Sequence, residues 1–526
     1  MNLTLLKAVA ARLYRHGLNF DIGLYMLLSV MMDLAFGYLF SFFYTFAFTA
    51  LLWLLAGLVP KIQKILLALA SLIAGLYYPF GQVYGPPNFN TLLALNATNA
   101  EEASEALLIF PLHAYIIALL IIITGIITVT RKSSPRKKWG YPQSIALVFV
   151  VIAWLTQPIL DQFYGGTFRL QNAGFPLVRF IKDTITSKLS VSNEIARMKQ
   201  LTSQSDSWQI DEVKPTKQIY VVVIGESARR DALGAFGGRW DNTPFTSQLN
   251  GQFFSHYTSA ASSTQKSLGL TLNQVVDGQP QYQNNIITLA NRAGFDSWWI
   301  SNQGQIGQYD TAIASIAERA KHIHFLKQGD FEADKNAKDE DLLGFTAEAL
   351  KRPVEKPRLL VYHLMGSHPK ACERTHGRIV EFVHSQETSC YLYSMTQTDG
   401  FLQQLWRQLH ESGLSFSLIY FSDHGLAFKE KGTANEYLAH DDKYRQNFEV
   451  PMFITSDNDR HHQIFDQPRS ANDFLLLFSQ WTGIHSRMIK TDYQFVSREK
   501  GPQIDVTNFA LHRLPFAKLR QDPFAP

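Results

Sequence analysis

IYVVVIGES, residues 219–227, and SLIYFSDHG, residues 417–425, each join a short apolar run to a polar ending. Such runs, rich in β-branched and aromatic residues, are typical of strands that are buried on both faces. Two further runs, 297–303 and 359–368, also end in polar residues. Because helical stretches separate these strands, the pattern predicts a mainly parallel sheet with helices on both faces, an α/β/α sandwich.

The polar endings of the four strands predict one site. Ligands of open α/β sheets bind just beyond the carboxyl ends of the strands. At these positions the sequence has Glu226 and Ser227, Asn302, Ser367 and His368, and Asp423 and His424. We therefore expect these groups, which come from distant parts of the chain, to converge at one edge of the sheet.

Asp423 and His424 are candidate metal ligands. Two adjacent donors can both reach one metal ion where the chain turns sharply, and Gly425 permits such a turn. With Glu226 they make a set of two carboxylates and one imidazole, which suits zinc and leaves a coordination position open. Taken alone, Glu226 is equally consistent with a helix cap, and the Asp-His pair favours neither a structural nor a metal-binding interpretation. His440 taken alone fits a surface loop better than a ligand.

The segment TSAASSTQKS, residues 258–267, is dense in hydroxyl groups. It fits either a polar loop that caps a helix or a nucleophile at a helix N-terminus. In the second interpretation, the free N–H groups and the helix dipole favour a phosphate, and a metal ion lowers the pKa of the hydroxyl. Lys266 would add a positive charge to that site.

The N-terminal part of the chain predicts a membrane domain. About 20 apolar residues cross a hydrocarbon core of ~30 Å, and five runs qualify, at about 21–39, 40–59, 64–84, 107–130 and 143–160. Residues 161–215 predict amphipathic linker helices on the membrane surface. We therefore divide the chain into a transmembrane domain, 1–160, a linker, 161–215, and a soluble domain, 216–526. This excludes both a wholly soluble protein and a pure membrane bundle.

Basic residues predict the orientation, because loops rich in Lys and Arg stay in the cytoplasm. Such residues precede the first run and occupy the loop 131–138, whereas 82–106 contains neither Lys nor Arg. The N-terminus is therefore predicted to be cytoplasmic, without a cleavable signal peptide, and five crossings place the soluble domain outside.

The net charge of the chain, 49 − 45 = +4, is too small to indicate nucleic-acid binding.

The motifs, in this order, resemble those of the bacterial phosphoethanolamine transferases of the alkaline phosphatase/sulfatase superfamily. The resemblance rests on VVIGESAR at 222–229, the hydroxyl-rich loop, GSH at 366–368, SDHG at 422–425 and His440, behind five spans. It covers nearly the whole chain and implies an N-terminal five-helix transmembrane domain followed by an alkaline phosphatase/sulfatase-like α/β/α sandwich. The fuller strings GESARRDALGAFGG and MGSHP are most similar to members that decorate osmoregulated periplasmic glucans.

The resemblance implies roles for particular residues. The metal-binding positions of the family match Glu226, Thr264, Asp423 and His424. Thr264 also matches the threonine that becomes phosphoethanolaminylated. His368 and His440 match histidines that bind the phosphate or a second zinc ion.

Further positions match the substrate-binding parts of the family. Asn302 matches a polar position near the head group, and Thr98 and Glu102 match positions near the lipid substrate. Cys372 and Cys390 fit a family-type disulfide, consistent with an oxidising compartment.

The activity that the resemblance implies is zinc-dependent transfer of phosphoethanolamine from phosphatidylethanolamine to a periplasmic glycan or lipopolysaccharide, with a periplasmic glucan favoured. We expect a monomer in the Gram-negative inner membrane. A phosphoglycerol transferase with manganese shares the scaffold, as does a sulfatase-like hydrolase, although the Thr264 loop lacks the sulfatase formylglycine motif. A non-catalytic membrane sensor would have lost a ligand or the nucleophile, and all are present.

We predict that alkaline phosphatase fused after residue 170 is active, because that part of the chain lies outside, where the enzyme acquires its disulfides. A fusion at Ser134 should be inactive, because Ser134 lies in a basic, cytoplasmic loop. Phosphatase activity of cells that carry each fusion measures this. The reverse pattern would contradict the orientation.

Overall fold

The computed structural model describes residues 20–97, 110–131, 139–163, 167–304, 312–327, 337–489 and 493–524. The chain divides into two compact units. The first, here called the helical unit, comprises Met1–Leu95 and Ala100–Val191. The second, the sheet unit, comprises Asn96–Asn99 and Ser192–Pro526.

The helical unit contains a helix at each of the five predicted apolar runs. Among the described residues up to 163, the helices are α1 (Phe20–Ala35), α2 (Phe42–Leu58), α3 (Pro60–Tyr84), α4 (Phe89–Ala97), α5 (Leu112–Thr130) and α6 (Tyr141–Phe163). Helices α3, α5 and α6 are long and apolar enough to cross a membrane, and α2 is apolar but has only 17 residues. A membrane domain is therefore confirmed, whereas the number of crossings stays a prediction.

Helices α3 and α5 pack closely through small residues. A Cβ atom on Gly75 of α3 would overlap Ile122, and one on Gly125 of α5 would overlap Ser71. Small residues let helix backbones approach in a membrane, where van der Waals packing drives association. Between α1 and α2, Thr45 Oγ1 donates a hydrogen bond of 2.9 Å to the buried carboxylate of Asp33.

One long helix, α7 (Pro176–Thr202), follows α6 after a short 3-10 turn. The sequence predicted linker helices over 161–215, and the described part of residues 164–215 contains one α-helix, of 27 residues. Its residues Ile181, Ile185 and Leu189 are exposed at a spacing of four, so they form an apolar stripe. Such a stripe suits a helix that lies on the membrane surface. The location of the helix on the membrane stays a prediction.

The sheet unit is built on eight strands. In chain order they are β1 (Ile219–Gly225), β2 (Gly251–Phe254), β3 (Asp296–Gly304), β4 (His322–Lys327), β5 (Arg358–His363), β6 (Phe416–Ser422), β7 (Met452–Ser456) and β8 (His462–Phe465). Their order across the sheet is β8-β2-β7-β6-β1-β5-β3-β4. Strands β6, β1, β5, β3 and β4 are parallel, whereas β7 is antiparallel to both neighbours. The mainly parallel sheet is thus confirmed.

Helices cover both faces of the sheet. They are α8 (Pro244–Gln248), α9 (Thr264–Thr271), α10 (Ile286–Arg292), α11 (Ala312–Ala317), α12 (Leu343–Lys351), α13 (Ala371–Arg374), α14 (Gln386–Glu411) and α15 (Phe474–Thr482). Successive side chains of a strand point to opposite faces. Val222 and Ile419 pack with α9, α10 and α15, whereas Val221 and Leu418 pack with α12 and α14. The α/β/α sandwich is therefore confirmed.

Cys372 of α13 and Cys390 of α14 form a disulfide. They are the only cysteines of the chain, and 18 positions separate them. In the chain-entropy account, closing a loop of this size stabilises the fold by roughly 3 kcal/mol. The bridge therefore restrains the segment that follows the polar ending of β5.

Candidate active site

Two neighbouring parallel strands bring Glu226 and Asp423 together. Gly225, the last residue of β1, lies opposite Ser422, the last residue of β6. The next residue on each strand is therefore a carboxylate at the same edge of the sheet. The loop after β5 joins them, because the Ser367 N–H donates to Glu226 O at 3.0 Å. Three of the four predicted polar endings thus meet at one place.

Thr264 begins helix α9, and its hydroxyl lies against two of the candidate ligands. Thr264 Oγ1 is 3.1 Å from Glu226 Oε2 and 3.2 Å from His424 Nε2. The first turn of α9 is fixed to the ending of β6, because Ser267 Oγ donates to Asp423 O at 2.6 Å. The hydroxyl that the family resemblance indicated is therefore held at the carboxyl edge of the sheet.

A further imidazole, His440, joins this group. It follows the short strand Tyr437–Ala439, which pairs with Ala427–Lys429 just after the ending of β6. The ligand atoms of Glu226, His424 and His440 all lie within 4.8 Å of one another. The ring of His368 lies 6.2 Å from that of His440, centroid to centroid.

The charges of this group fit a metal ion. Glu226 and Asp423 are each only 1% exposed, and burial together with the charge of Asp423 raises the pKa of Glu226 well above its usual range. Asp423 Oδ2 and His368 Nδ1 are buried without a hydrogen-bond partner among the described residues. Adjacent buried carboxylates and unpaired buried atoms are costly unless a cation or ligand satisfies them.

The surroundings of the two outer histidines lower their pKa values and so favour the neutral imidazole. Burial, reinforced by the charge of Arg374, lowers the pKa of His368 to about 3. Burial and the neighbouring His424 and His368 lower the pKa of His440 well below its usual range. A neutral imidazole can offer one nitrogen as a metal ligand and the other as an N–H donor.

Ser227 fixes both carboxylates. Its φ of 58° is left-handed, a conformation that residues with a side chain seldom adopt. Its Oγ donates to Glu226 Oε1 at 2.7 Å, and its N–H donates to Asp423 Oδ1 at 3.0 Å. Tyr391 Oη donates a hydrogen bond of 2.7 Å to the carbonyl oxygen of Ser227. The sequence marked Ser227 as part of a strand ending but indicated no role for it.

Asn302, in the fourth strand ending, is connected to the site by a hydrogen bond to Asp339. Asn302 Nδ2 donates to Asp339 Oδ1 at 2.8 Å, while Asn302 Oδ1 is buried with no partner among the described residues. Asp339 also accepts from the N–H groups of Met365, at 2.8 Å, and Gly366, at 2.9 Å. A Cβ on Gly366 would lie 3.0 Å from Glu226 N, so this turn sits directly against the site. No motif marks Asp339, and sequence analysis missed it.

The remaining predicted residues are less closely tied to the site. Lys266 is largely buried on α9, where burial lowers its pKa and the charges that act on it come from Glu194 and Arg197 of α7. Thr98 and Glu102 lie outside the described residues, so their place near the lipid stays a prediction.

We predict that Asp339→Ala lowers the free energy of unfolding by about 1–3 kcal/mol, because it leaves the N–H groups of Met365 and Gly366 without their acceptor. Chemical denaturation of the full chain measures this. Glu340→Ala removes the adjacent exposed carboxylate and is the matched control, expected to change stability by less than about 0.5 kcal/mol. Equal stability of the two variants would show that Asp339 does not hold the turn.

Residues 218–484, about half of the chain, match the sulfatase family. The chain therefore belongs to the sulfatase family of enzymes. Within it, the chain is 54% identical over 527 residues to phosphoethanolamine transferase OpgE of Escherichia coli (strain K12), with 100% of each chain covered. It belongs to the phosphoethanolamine transferases, which confirms the family that the motifs indicated.

Solved structures show the same fold. The integral membrane lipooligosaccharide phosphoethanolamine transferase A (EptA) from Neisseria meningitidis superposes with a TM-score of 0.59 at 16% identity, covering 89% of this chain and 97% of that one. The C-terminal periplasmic domain of EptC from Escherichia coli, solved in complex with Zn, superposes with a TM-score of 0.52 at 17% identity, covering 60% and 96%. A membrane domain followed by a sulfatase-type domain is therefore the fold of this chain.

Proposed function

We propose that this enzyme transfers phosphoethanolamine from phosphatidylethanolamine to a hydroxyl of a periplasmic glycan, through a phosphoethanolamine–Thr264 intermediate. The observation that carries the proposal is the position of the Thr264 hydroxyl, 3.1 Å from Glu226 Oε2 and 3.2 Å from His424 Nε2. A hydroxyl between a carboxylate and an imidazole, at the start of a helix, is arranged as a nucleophile that attacks a phosphoryl group.

Glu226, Thr264, Asp423 and His424 would hold a zinc ion, and His440 is close enough to Glu226 and His424 to contribute. Carboxylate, imidazole and hydroxyl donors suit zinc, and manganese is the less favoured alternative. The Escherichia coli EptC domain, which has the same fold, was solved in complex with Zn. A bound zinc ion would polarise the phosphoryl oxygens and lower the pKa of the Thr264 hydroxyl.

The chain's own residues account for both half-reactions. Thr264 Oγ1 forms a bond to phosphorus while the bond from phosphorus to the diacylglycerol oxygen breaks. The Thr264 proton passes to Glu226 or His424, and diacylglycerol leaves with a proton. An acceptor hydroxyl then attacks the same phosphorus while the bond from phosphorus to Thr264 Oγ1 breaks. The acceptor's proton passes through Glu226 or His424 to Thr264, which restores the hydroxyl.

The surrounding polar groups suit the phosphoethanolamine head group. The neutral rings of His368 and His440 would donate N–H groups to the phosphoryl oxygens. Asn302 Oδ1, which is buried without a partner among the described residues, would accept from the ammonium group. These roles agree with the family positions that the three residues match.

The membrane domain gives the enzyme access to its donor. A two-chain lipid hardly leaves the bilayer, because each buried methylene contributes about 0.8 kcal/mol. We include five crossings in this proposal, with the N-terminus in the cytoplasm and the sheet unit in the periplasm of a Gram-negative inner membrane. The basic loops and the three long apolar helices support this arrangement, and the disulfide suits an oxidising compartment.

We predict that Thr264→Ala abolishes the covalent adduct and nearly all transfer, because it removes the hydroxyl that lies between Glu226 and His424. Thr264→Ser should keep measurable activity, since it keeps the hydroxyl. Intact-mass analysis after incubation with phosphatidylethanolamine measures the adduct on the purified full chain. Ser262→Ala, in the same loop, is the matched control and should carry the adduct like the wild type.

The same variants separate the nucleophile from the metal site. Asp423→Ala should lose bound metal, whereas Thr264→Ala should keep it through Glu226, Asp423 and His424. Elemental mass spectrometry counts the metal and distinguishes zinc from manganese. An adduct on Thr264→Ala would exclude Thr264 as the nucleophile and direct attention to the neighbouring serines.

We predict that cells lacking the gene lose phosphoethanolamine from their periplasmic glucans, because GESARRDALGAFGG and MGSHP are most similar to glucan-modifying members of the family. Mass spectrometry compares the phosphoethanolamine content of glucans and lipopolysaccharide between these cells and the parent. Loss from lipopolysaccharide alone would make lipopolysaccharide the acceptor and refute the glucan assignment.

A further inference from the structure

Arg179 occupies an unusual position in the helical unit. It lies near the start of α7, and its guanidinium carbon is 4.0 Å from the centroid of the Tyr38 ring. That ring is itself held, because Tyr38 Oη donates to Asp183 Oδ2 at 2.7 Å. Phe36 and Phe180, near neighbours of Tyr38 and Arg179 in sequence, stack with centroids 4.3 Å apart. One face of the guanidinium thus lies on a ring that is itself held in place.

The N–H edge of this guanidinium is unsatisfied. Within the described part of the chain, the Arg179 side chain makes neither a hydrogen bond nor an ion pair, although an arginine carries five N–H donors. The nearby carboxylates are engaged elsewhere: Asp33 accepts from Thr45 and Asp183 from Tyr38.

A second polar atom in the same region also lacks a partner. Tyr44 Oη is buried without a hydrogen bond among the described residues. The Tyr44 ring contacts that of Phe175, centroids 6.0 Å apart, and the Phe175 carbonyl accepts from Arg179 N–H at 2.9 Å. The region therefore offers a guanidinium and a hydroxyl that have no acceptor among the described residues. This combination is complementary to an anion with several oxygens.

The position of these residues indicates which anion is available. Tyr38 follows the C-terminal end of α1 and Tyr44 lies in the first turn of α2, where aromatic residues are typical of the membrane interface. An unpaired arginine is costly near hydrocarbon, and the abundant acceptor at that depth is the phosphate of a phospholipid. Arginine binds phosphate through two parallel N–H bonds, which lysine cannot reproduce.

We propose that Arg179, with Tyr44, binds the phosphodiester of one phospholipid per chain in the helical unit. The ligand class is a glycerophospholipid head group, recognised by its phosphate. The site is separate from the Thr264 site in its residues, and its occupancy does not depend on transfer. Under the topology proposed above, it faces the periplasmic leaflet.

Lipid binding to the purified full chain tests this site. Native mass spectrometry in detergent would count lipids bound from added phosphatidylethanolamine, in a Thr264→Ala background so that no head group is consumed. We expect Arg179→Gln to lower the occupancy of one bound lipid at least about tenfold and to leave a lipid bound as donor unaffected. Arg179→Lys should retain part of that occupancy, and Tyr44→Phe should reduce it by a smaller factor. Arg169→Gln, which alters an exposed arginine shortly before α7, is the matched control and should bind like the parent.

Competitors identify the part of the lipid that is recognised. Diacylglycerol with the same chains should not occupy the site, and inorganic phosphate at equal concentration should not displace the lipid. Binding of diacylglycerol as strongly as the phospholipid, or displacement by free phosphate, would overturn the proposal. Unchanged lipid occupancy in Arg179→Gln would also overturn the proposal, and Arg179 would then be a structural counter-charge to Asp33.

Arg179→Lys provides the comparison if Arg179→Gln does not fold. Because no transfer is measured, these outcomes stand apart from the test of Thr264.

Discussion

Glu226 and Asp423 place two carboxylates side by side, both removed from water, at the ends of adjacent parallel strands. Water would otherwise stabilise such charges, and their mutual repulsion disfavours ionising both. Nearby donor groups stabilise the two carboxylates. Ser227 donates to both of them, and Thr264 and His424 lie close to Glu226. One oxygen, Asp423 Oδ2, remains without a hydrogen bond among the described residues. The need for positive charge at this point organises the rest of the site.

The sheet explains why such an arrangement is stable. Strands β1 and β6 are buried along their whole length, and their register fixes which residues come next at the edge. The loop carbonyls and N–H groups are then tied to one another, as in the bond from Ser367 N–H to Glu226 O. Packing energy from two large cores holds the carboxylates where they would not collect by themselves. The strain at Ser227 is maintained in the same way.

Much of the architecture could be predicted because it depends on local pattern and on topology rules. Buried strands with polar endings predicted the convergence of Glu226, Ser367 and Asp423, and the family motifs indicated Thr264. His440 could not be placed by pattern alone, since the pairing of Tyr437–Ala439 with Ala427–Lys429 brings it back to the site. Asp339 carries no motif because its function is to accept backbone N–H groups from a distant turn. The sequence also could not predict that β7 is antiparallel to its neighbours, because an apolar run reads the same for a parallel and an antiparallel strand.

The disulfide between Cys372 and Cys390 links the maturation of the enzyme to its compartment. The bridge ties α13 to the first turns of α14, in the segment that follows the turn at Gly366. In a reducing cytosol these thiols stay apart, and the connection between the two helices rests on noncovalent contacts, among them the hydrogen bonds from the Ala371 and Cys372 N–H groups to Glu387. A chain that is exported and oxidised gains the covalent tie only after translocation. If the sheet unit is exported, as proposed above, the final restraint beside the site forms only in an oxidising space, and recombinant sheet unit made without export would lack it.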